Sequence, residues 1–221
     1  QLVICICICW RKTMIDIDEY SCLVFDLDGT IIDGEKKHYA CYRSIIEYYG
    51  GIPISREEYW RLKRNKIKRT VLLEKSCFQG TYEQYSSMWI ENIERYEYLK
   101  LDILPVDNLS ALYRIKKSGK KMKLVTMRHN SENLYRQLNE LHLTDFFDEI
   151  CVVNALSNGH KYDAFEKKAK EKMLFIGDTE EDELSAAMLN SDFCAVTSGL
   201  RAKEYLHAKY YVYTIAELCC S

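Results

Sequence analysis

At 221 residues and 48% hydrophobic content, the chain is long enough for one core domain with a modest insertion. A net charge of −2 argues against a globally basic nucleic-acid binder and against an acidic tail. The ten cysteines form no C-x-x-C pair and are not spaced as a disulfide framework, so they read as reduced thiols of a cytoplasmic protein.

Residues 2–10, LVICICICW, are apolar but too short for a membrane span of ~20 residues. No basic region precedes them as in a signal peptide. Cys5, Cys7 and Cys9 alternate and would share one face of a strand. A thiolate metal site, an extra strand and a leader all remain open readings. Residues 1–13 read as a dispensable leader, with Met14 as the functional start.

The apolar run 22–25 predicts a buried strand, ending abruptly in Asp26-Leu27-Asp28-Gly29-Thr30. Helical pattern follows over 35–49, stopped by Gly50-Gly51 and Pro53. Ser55 and Glu58 form a capping box opening a helix over 56–66. Further helices are predicted over 68–75 and 82–98, with no strand between 34 and 101. The stretch 34–100 therefore reads as a small helical insertion, and 14–33 with 101–221 as the core domain. In the core, helices are predicted over 106–117, 130–141, 162–171 and 181–189. Strands are predicted over 122–125, 149–153, 173–176, 193–196 and 210–213. Short strands alternating with helices predict an α/β fold with a doubly wound parallel sheet.

Asp26 and Asp28 stand one residue apart at the C-terminal end of a predicted strand, the edge where open α/β sheets bind ligands. Gly29 permits the sharp turn that follows. Two buried like charges need a cation or a shared proton. Mg²⁺ fits, as a hard ion that takes carboxylate oxygens and keeps waters for a substrate phosphate.

The D-x-D-G-T sequence at Asp26 resembles motif I of the haloacid dehalogenase superfamily. Three later segments resemble that family's other motifs, in order. Thr126 in K-L-V-T-M-R resembles motif II, Lys161 in N-G-H-K-Y-D resembles motif III, and Gly177-Asp178-Thr179-Glu180-Glu181-Asp182 resembles motif IV, G-D-x-x-x-D. The agreement spans residues 22–182. Three departures stand out. Met127 replaces a frequent Asn, Tyr162 replaces the usual Pro after the motif III lysine, and the interval from Lys161 to Asp178 is short. Lys167, Lys168, Lys170 and Lys172 are nearby alternatives to Lys161.

The resemblance implies a Rossmann-like core with a helical cap between motifs I and II. It implies Asp26 as the nucleophile and Asp28 as acid and base at the leaving oxygen. Thr126 would bind a phosphate oxygen, beside Gly29 and Thr30, and Lys161 would balance the charge. Mg²⁺ would be held by Asp26, the backbone carbonyl of Asp28, Asp178, and Asp182 directly or through water. Arg128 reads either as added charge toward substrate or as a solvated loop residue. His38, in the first cap helix, reads as a junction residue or an ordinary helix position. Arg61, Lys63, Arg64, Lys66, Lys68 and Arg69 put six basic residues within nine. Of these, Arg64 and Lys66 are the expected contacts to a second anionic group on the substrate; the other reading is a solvated helix face.

The expected function is a Mg²⁺-dependent phosphatase acting on a small phosphorylated metabolite through an aspartyl-phosphate, with neither nucleic acid nor membrane as partner. The alternatives are a phosphomutase of the β-phosphoglucomutase type and a catalytically inactive scaffold.

Overall fold

The computed structural model describes residues 15–165 and 171–219, so the expectations for residues 1–14 lie outside the described residues. In chain order the elements are β1 (Ile15–Asp16), β2 (Cys22–Phe25), α1 (Glu35–Tyr48), α2 (Arg56–Arg64), α3 (Arg69–Lys75), α4 (Tyr82–Ile93) and α5 (Tyr96–Leu99). There follow α6 (Val106–Lys117), β3 (Lys121–Met127), α7 (Ser131–Glu140), β4 (Glu149–Val153), β5 (Met173–Gly177), α8 (Glu180–Met188), β6 (Asp192–Val196), β7 (Tyr210–Val212) and β8 (Leu218–Cys219).

Six strands form one parallel sheet in the order β4-β3-β2-β5-β6-β7. This is the doubly wound arrangement expected from the alternation of elements. Every residue of β2 is fully buried, because helices cover both faces of the sheet. Leu23 and Phe25 point into one apolar cluster, with Leu112 and Ile115 of α6 and Leu134 and Leu138 of α7. Cys22 and Val24 point into the other, with Ala186 of α8. The chain runs from β2 outward to β3 and β4, then returns across β2 to β5 and continues to β6 and β7. The winding therefore reverses between β2 and β5, and a crevice opens at their carboxyl ends. The short strands β1 and β8 pair in parallel as a separate ribbon, a feature with no strong pattern in the sequence.

Between β2 and β3 the chain is helical, and α1–α4 bury an apolar cluster of their own. Aromatic rings dominate it: Tyr42 stacks on Tyr59 at 4.5 Å, and Tyr85 on Trp89 at 6.0 Å.

Two predicted helices differ from the structure. The helix expected over 82–98 breaks after Ile93, where Arg95 takes an extended conformation before α5 begins. The break lets the Glu94 carboxylate accept from the backbone N–H groups of His129 and Asn130, at 3.1 and 2.8 Å, beyond the end of β3. The helix expected over 162–171 begins as a single 3₁₀ turn, Lys161–Ala164, followed by extended Phe165. Asp163 accepts from the backbone N–H of His160 at 2.8 Å and closes that turn, while Phe165 packs into the core. Residues 166–170 of that expected helix lie outside the described residues. The cysteines of the described residues are free thiols, and no helix among those residues is long and apolar enough to cross a membrane.

Candidate active site

Asp26 follows directly on β2, and its backbone N–H donates to the Ile176 carbonyl of β5 at 2.9 Å. This bond ties the nucleophile candidate to the strand that delivers Asp178. Gly29 has φ +83, and a Cβ there would lie 2.0 Å from Oδ2 of Asp178. A Cβ on Gly199, after β6, would lie 2.2 Å from the same oxygen. Two glycines thus let two loops close over one carboxylate. Asp178 also accepts from the backbone N–H of Leu200 at 2.5 Å and from the Thr30 hydroxyl at 3.4 Å.

Lys161 is 4% exposed, and its Nζ lies 2.5 Å from Oδ1 of Asp26 and 2.6 Å from Oδ1 of Asp182. The other oxygen of Asp182 accepts from the backbone N–H and the hydroxyl of Thr179 at 3.0 and 2.7 Å, a capping box that starts α8. Both oxygens of Asp182 are therefore engaged, and the contact it makes toward the crevice is with Lys161. Thr126 closes the group: it is 1% exposed near the end of β3. With Asp26, Asp28, Gly29, His38, Trp60 and Lys161 it lines a cavity of about 210 Å³.

Asp26, Asp178 and Asp182 are all buried, with ligand oxygens within 4.8 Å of one another. Burial pushes the Asp26 carboxyl up to about 7, against the pull of Lys161, and the neighbouring Asp182 and Asp28 push the same way. Burial also holds Asp178 well above the usual carboxylate range, reinforced by Asp26 and Asp182. One lysine cannot neutralise three carboxylates. The excess negative charge and the all-oxygen donor set fit a hard divalent cation.

Arg128 is 4% exposed and forms a bidentate pair with Asp28, Nε to Oδ2 at 2.8 Å and Nη2 to Oδ1 at 2.7 Å. Its guanidinium faces Asp28, and the residue is neither solvated nor part of the lining above Asp26. Lys37 adds a second cation, 2.7 Å from Asp28 and 2.7 Å from Asp102. Burial opposes charge on Asp28, but Arg128 and Lys37 outweigh it and hold its carboxyl well below the usual range. Lys37 and Asp102 escaped the sequence reading, because a lysine on a helix carries no signal that it is buried. Glu94 was missed as well, hidden inside a continuous helical pattern.

His38 accepts from Lys63 at 2.8 Å and lies between Trp60 and Trp89, with ring centroids 5.9 and 5.5 Å away. Burial and the charge on Lys63 keep its pKa well below the ordinary value. Arg64 donates to the Thr197 carbonyl after β6, and Lys66, just beyond α2, pairs with Glu180 at the start of α8 at 2.6 Å, so both are engaged by the core.

A doubly wound parallel sheet with acidic groups and a lysine gathered at its switch point defines a Rossmann-like α/β fold with a ligand site at the carboxyl ends of its strands. The sequence profile of the haloacid dehalogenase-like hydrolases matches residues 23–196, and the chain belongs to that family. Solved structures share the fold. A superfamily hydrolase of subfamily IA, variant 1, from Geobacter sulfurreducens superposes with a TM-score of 0.63 at 23% identity, over 91% of this chain and 96% of its own. A protein from Clostridium acetobutylicum described as a "predicted phosphatase" gives 0.64 at 18%, over 87% and 93%. Protein tyrosine kinase A of Mycobacterium tuberculosis gives 0.69 at 16%, over 90% and 95%. No curated protein sequence matches the chain.

Proposed function

We propose that the chain is a Mg²⁺-dependent phosphatase that cleaves small phosphoesters through an aspartyl-phosphate on Asp26. The observation that carries this reading is the buried group of Asp26, Asp178 and Asp182 with Lys161 wedged between two of them. Membership of a hydrolase family and the neighbour described as a phosphatase support it.

In this reading Asp26 attacks phosphorus as the bond from phosphorus to the ester oxygen breaks. Lys161 offsets charge on Asp26 and on the transferring group. The Thr126 hydroxyl donates to a phosphate oxygen from β3, the neighbouring strand. Asp26, Asp178 and the Asp28 carbonyl would hold Mg²⁺, with Asp182 acting on it indirectly by fixing Lys161. The ion, when bound, neutralises phosphate charge and lets Asp26 ionise. Water then attacks the phosphorus of the aspartyl-phosphate as its bond to the Asp26 oxygen breaks, which releases inorganic phosphate and restores the Asp26 carboxylate. Asp28, ionised beside Arg128 and Lys37, takes the water's proton, and the same two cations make it a weak base for that step. In the first step the leaving oxygen needs a proton, and those same two cations disfavour the protonated form of Asp28. The helices of 34–100 act as a cap, with Trp60 and His38 walling the cavity above Asp26.

The test is release of inorganic phosphate from p-nitrophenyl phosphate, with and without Mg²⁺. Activity that requires Mg²⁺, is abolished by excess chelator and is inhibited by Ca²⁺ is the expected result. Full activity in chelator would remove the metal-dependent reading.

A further inference from the structure

The Nζ of Lys161 lies between Asp26 and Asp182, yet its own segment offers little to keep it there. Lys161 opens a single 3₁₀ turn, Lys161–Ala164, with extended His160 before the turn and extended Phe165 after it. A long, flexible side chain on so short a turn needs an anchor from elsewhere in the fold.

Helix α8 supplies that anchor at both ends of the lysine. Asp182 takes Nζ at 2.6 Å. Glu181, one residue earlier, takes the main chain: its Oε1 accepts from the backbone N–H of Lys161 at 2.9 Å. Ser185 stands one turn further along the same face of α8 and is fully buried. Its hydroxyl donates to Oε1 of Glu181 at 3.3 Å and accepts from the backbone N–H of Tyr162 at 3.2 Å. The other oxygen of Glu181 lies 3.0 Å from Nδ1 of His160, whose ring stacks on Tyr162 with centroids 4.9 Å apart and planes 12° apart. Three successive residues, 160–162, are thus tied to Glu181 and Ser185.

Glu181 also lines the cavity above Asp26. A carboxylate free to swing into that cavity would repel an incoming phosphate. Its oxygens are instead engaged by the Lys161 backbone, Ser185 and His160. We propose that Glu181 is a positioning residue of the site: by holding the Lys161 backbone, and by being held in turn by His160 and Ser185, it fixes Nζ where charge builds on a transferring phosphoryl group. Glu181 touches no reacting atom and acts through Lys161. The link to turnover rests on the phosphoester reading, while the hold on Lys161 rests on the geometry alone.

The test compares Glu181→Ala, Glu181→Gln and the unmodified full chain, all with Mg²⁺. The first readout is exchange of the Lys161 backbone N–H with solvent deuterium, followed by NMR without substrate. Loss of its acceptor should speed this exchange at least ~tenfold in Glu181→Ala, with the amides of β2 and β5 unchanged. The second readout is hydrolysis of p-nitrophenyl phosphate. A misplaced Lys161 should lower kcat at least ~tenfold and change KM by less. Glu181→Gln, whose amide oxygen can still accept from Lys161, should recover most of both losses. With Met already at position 161, Glu181→Ala should add no further loss, because its effect passes through the lysine. This cycle is read in kcat/KM and, in parallel, in the calorimetric Kd of inorganic phosphate. Should the alanine variant unfold, His160→Phe takes its place: it keeps an aromatic ring on Tyr162 and removes the hold on Glu181, so the same pattern should appear with smaller effects. Unchanged exchange at Lys161, or an equal loss with Lys and with Met at 161, overturns the proposal. Faster exchange at Lys161 in a chain whose parent releases no phosphate would sink the phosphatase reading and leave the hold on Lys161 standing. Phosphate release as fast in Glu181→Ala as in the parent would do the reverse.

Discussion

Asp28 and Arg128 show how one contact decides what a carboxylate can do. The bidentate pair, with Lys37 behind it, keeps Asp28 ionised. An ionised Asp28 cannot supply the proton that a poor leaving group needs, so cleavage should favour esters whose leaving oxygen departs as a stable anion. Across substituted aryl phosphates, log kcat/KM should fall steeply as the leaving-group pKa rises. Arg128→Met removes the stronger partner and lets the Asp28 pKa rise, so the slope should become shallower while activity on the best leaving groups falls. A slope identical in both proteins would show that Arg128 does not control the proton on Asp28. Asp26 gives a simpler expectation. Asp26→Asn should abolish turnover, since an amide is not a nucleophile here, without loss of folding. The amide also relieves repulsion among buried acids, so its melting temperature in metal-free buffer should equal or exceed that of the parent.

At the scale of elements, Glu94 links the helical insertion to the loop after β3. It is 6% exposed and accepts from the backbone N–H groups of the half-buried His129 and Asn130. Glu94→Ala should cost about 1–3 kcal/mol in urea unfolding, and should loosen Thr126 and Arg128, which precede that loop. Glu94→Gln, which can still accept, should cost less. Near-equal stability of the alanine variant and the parent would mean that water replaces the carboxylate. The same element marks where the sequence became hard to read. The six parallel strands were legible as short apolar runs between helical patterns, most clearly β2 and β5, which are buried throughout and followed by Asp, and β3, which carries Thr126 near its end. Asp26 and Asp178 were legible as acids directly after apolar strands, and Asp182, inside α8, through the G-D-x-x-x-D spacing that resembles the family's motif. Glu94, Lys37 and Asp102 were not, because the contacts that bury them reach mostly to distant parts of the chain, as in Lys37 with Asp102, and their sequence surroundings look like any helical surface. At the start of the helix expected over 162–171, the Asp163 carboxylate closes a single 3₁₀ turn at Lys161–Ala164 and Phe165 packs into the core, a long-range packing outcome that the local pattern does not carry.

For the whole molecule, the reversal of winding between β2 and β5 brings Asp26 and Asp178 together from strands 150 residues apart in sequence, and this has a global consequence. Gathering buried carboxylates destabilises the fold wherever they are ionised. The pKa of Asp26 is raised to about 7 in the folded state from the ordinary 3.8, and that of Asp178 is raised as well. A group raised on folding contributes stability that is fully present below its unfolded pKa and is lost as pH climbs through the folded one. The metal-free protein should therefore lose stability through these groups between about pH 4 and pH 7. The opposite contribution of Asp28, whose pKa is lowered, is lost only below about pH 4 and lies outside this window. Under the proposed reading Mg²⁺ displaces the protons on Asp26 and Asp178, so its affinity should rise across the same interval and then level off for Asp26. Since a ligand that binds only the folded state stabilises by mass action, the increase in melting temperature produced by a fixed Mg²⁺ concentration should be small near pH 5 and several degrees larger near pH 8. The comparison with and without Mg²⁺ at each pH cancels the many groups the ion does not touch. In Asp26→Asn the rise between pH 5 and 7 should be much reduced, because one of the two protons to be displaced is gone. A Mg²⁺-induced shift that is the same at every pH would mean that the ion does not bind at the buried carboxylates.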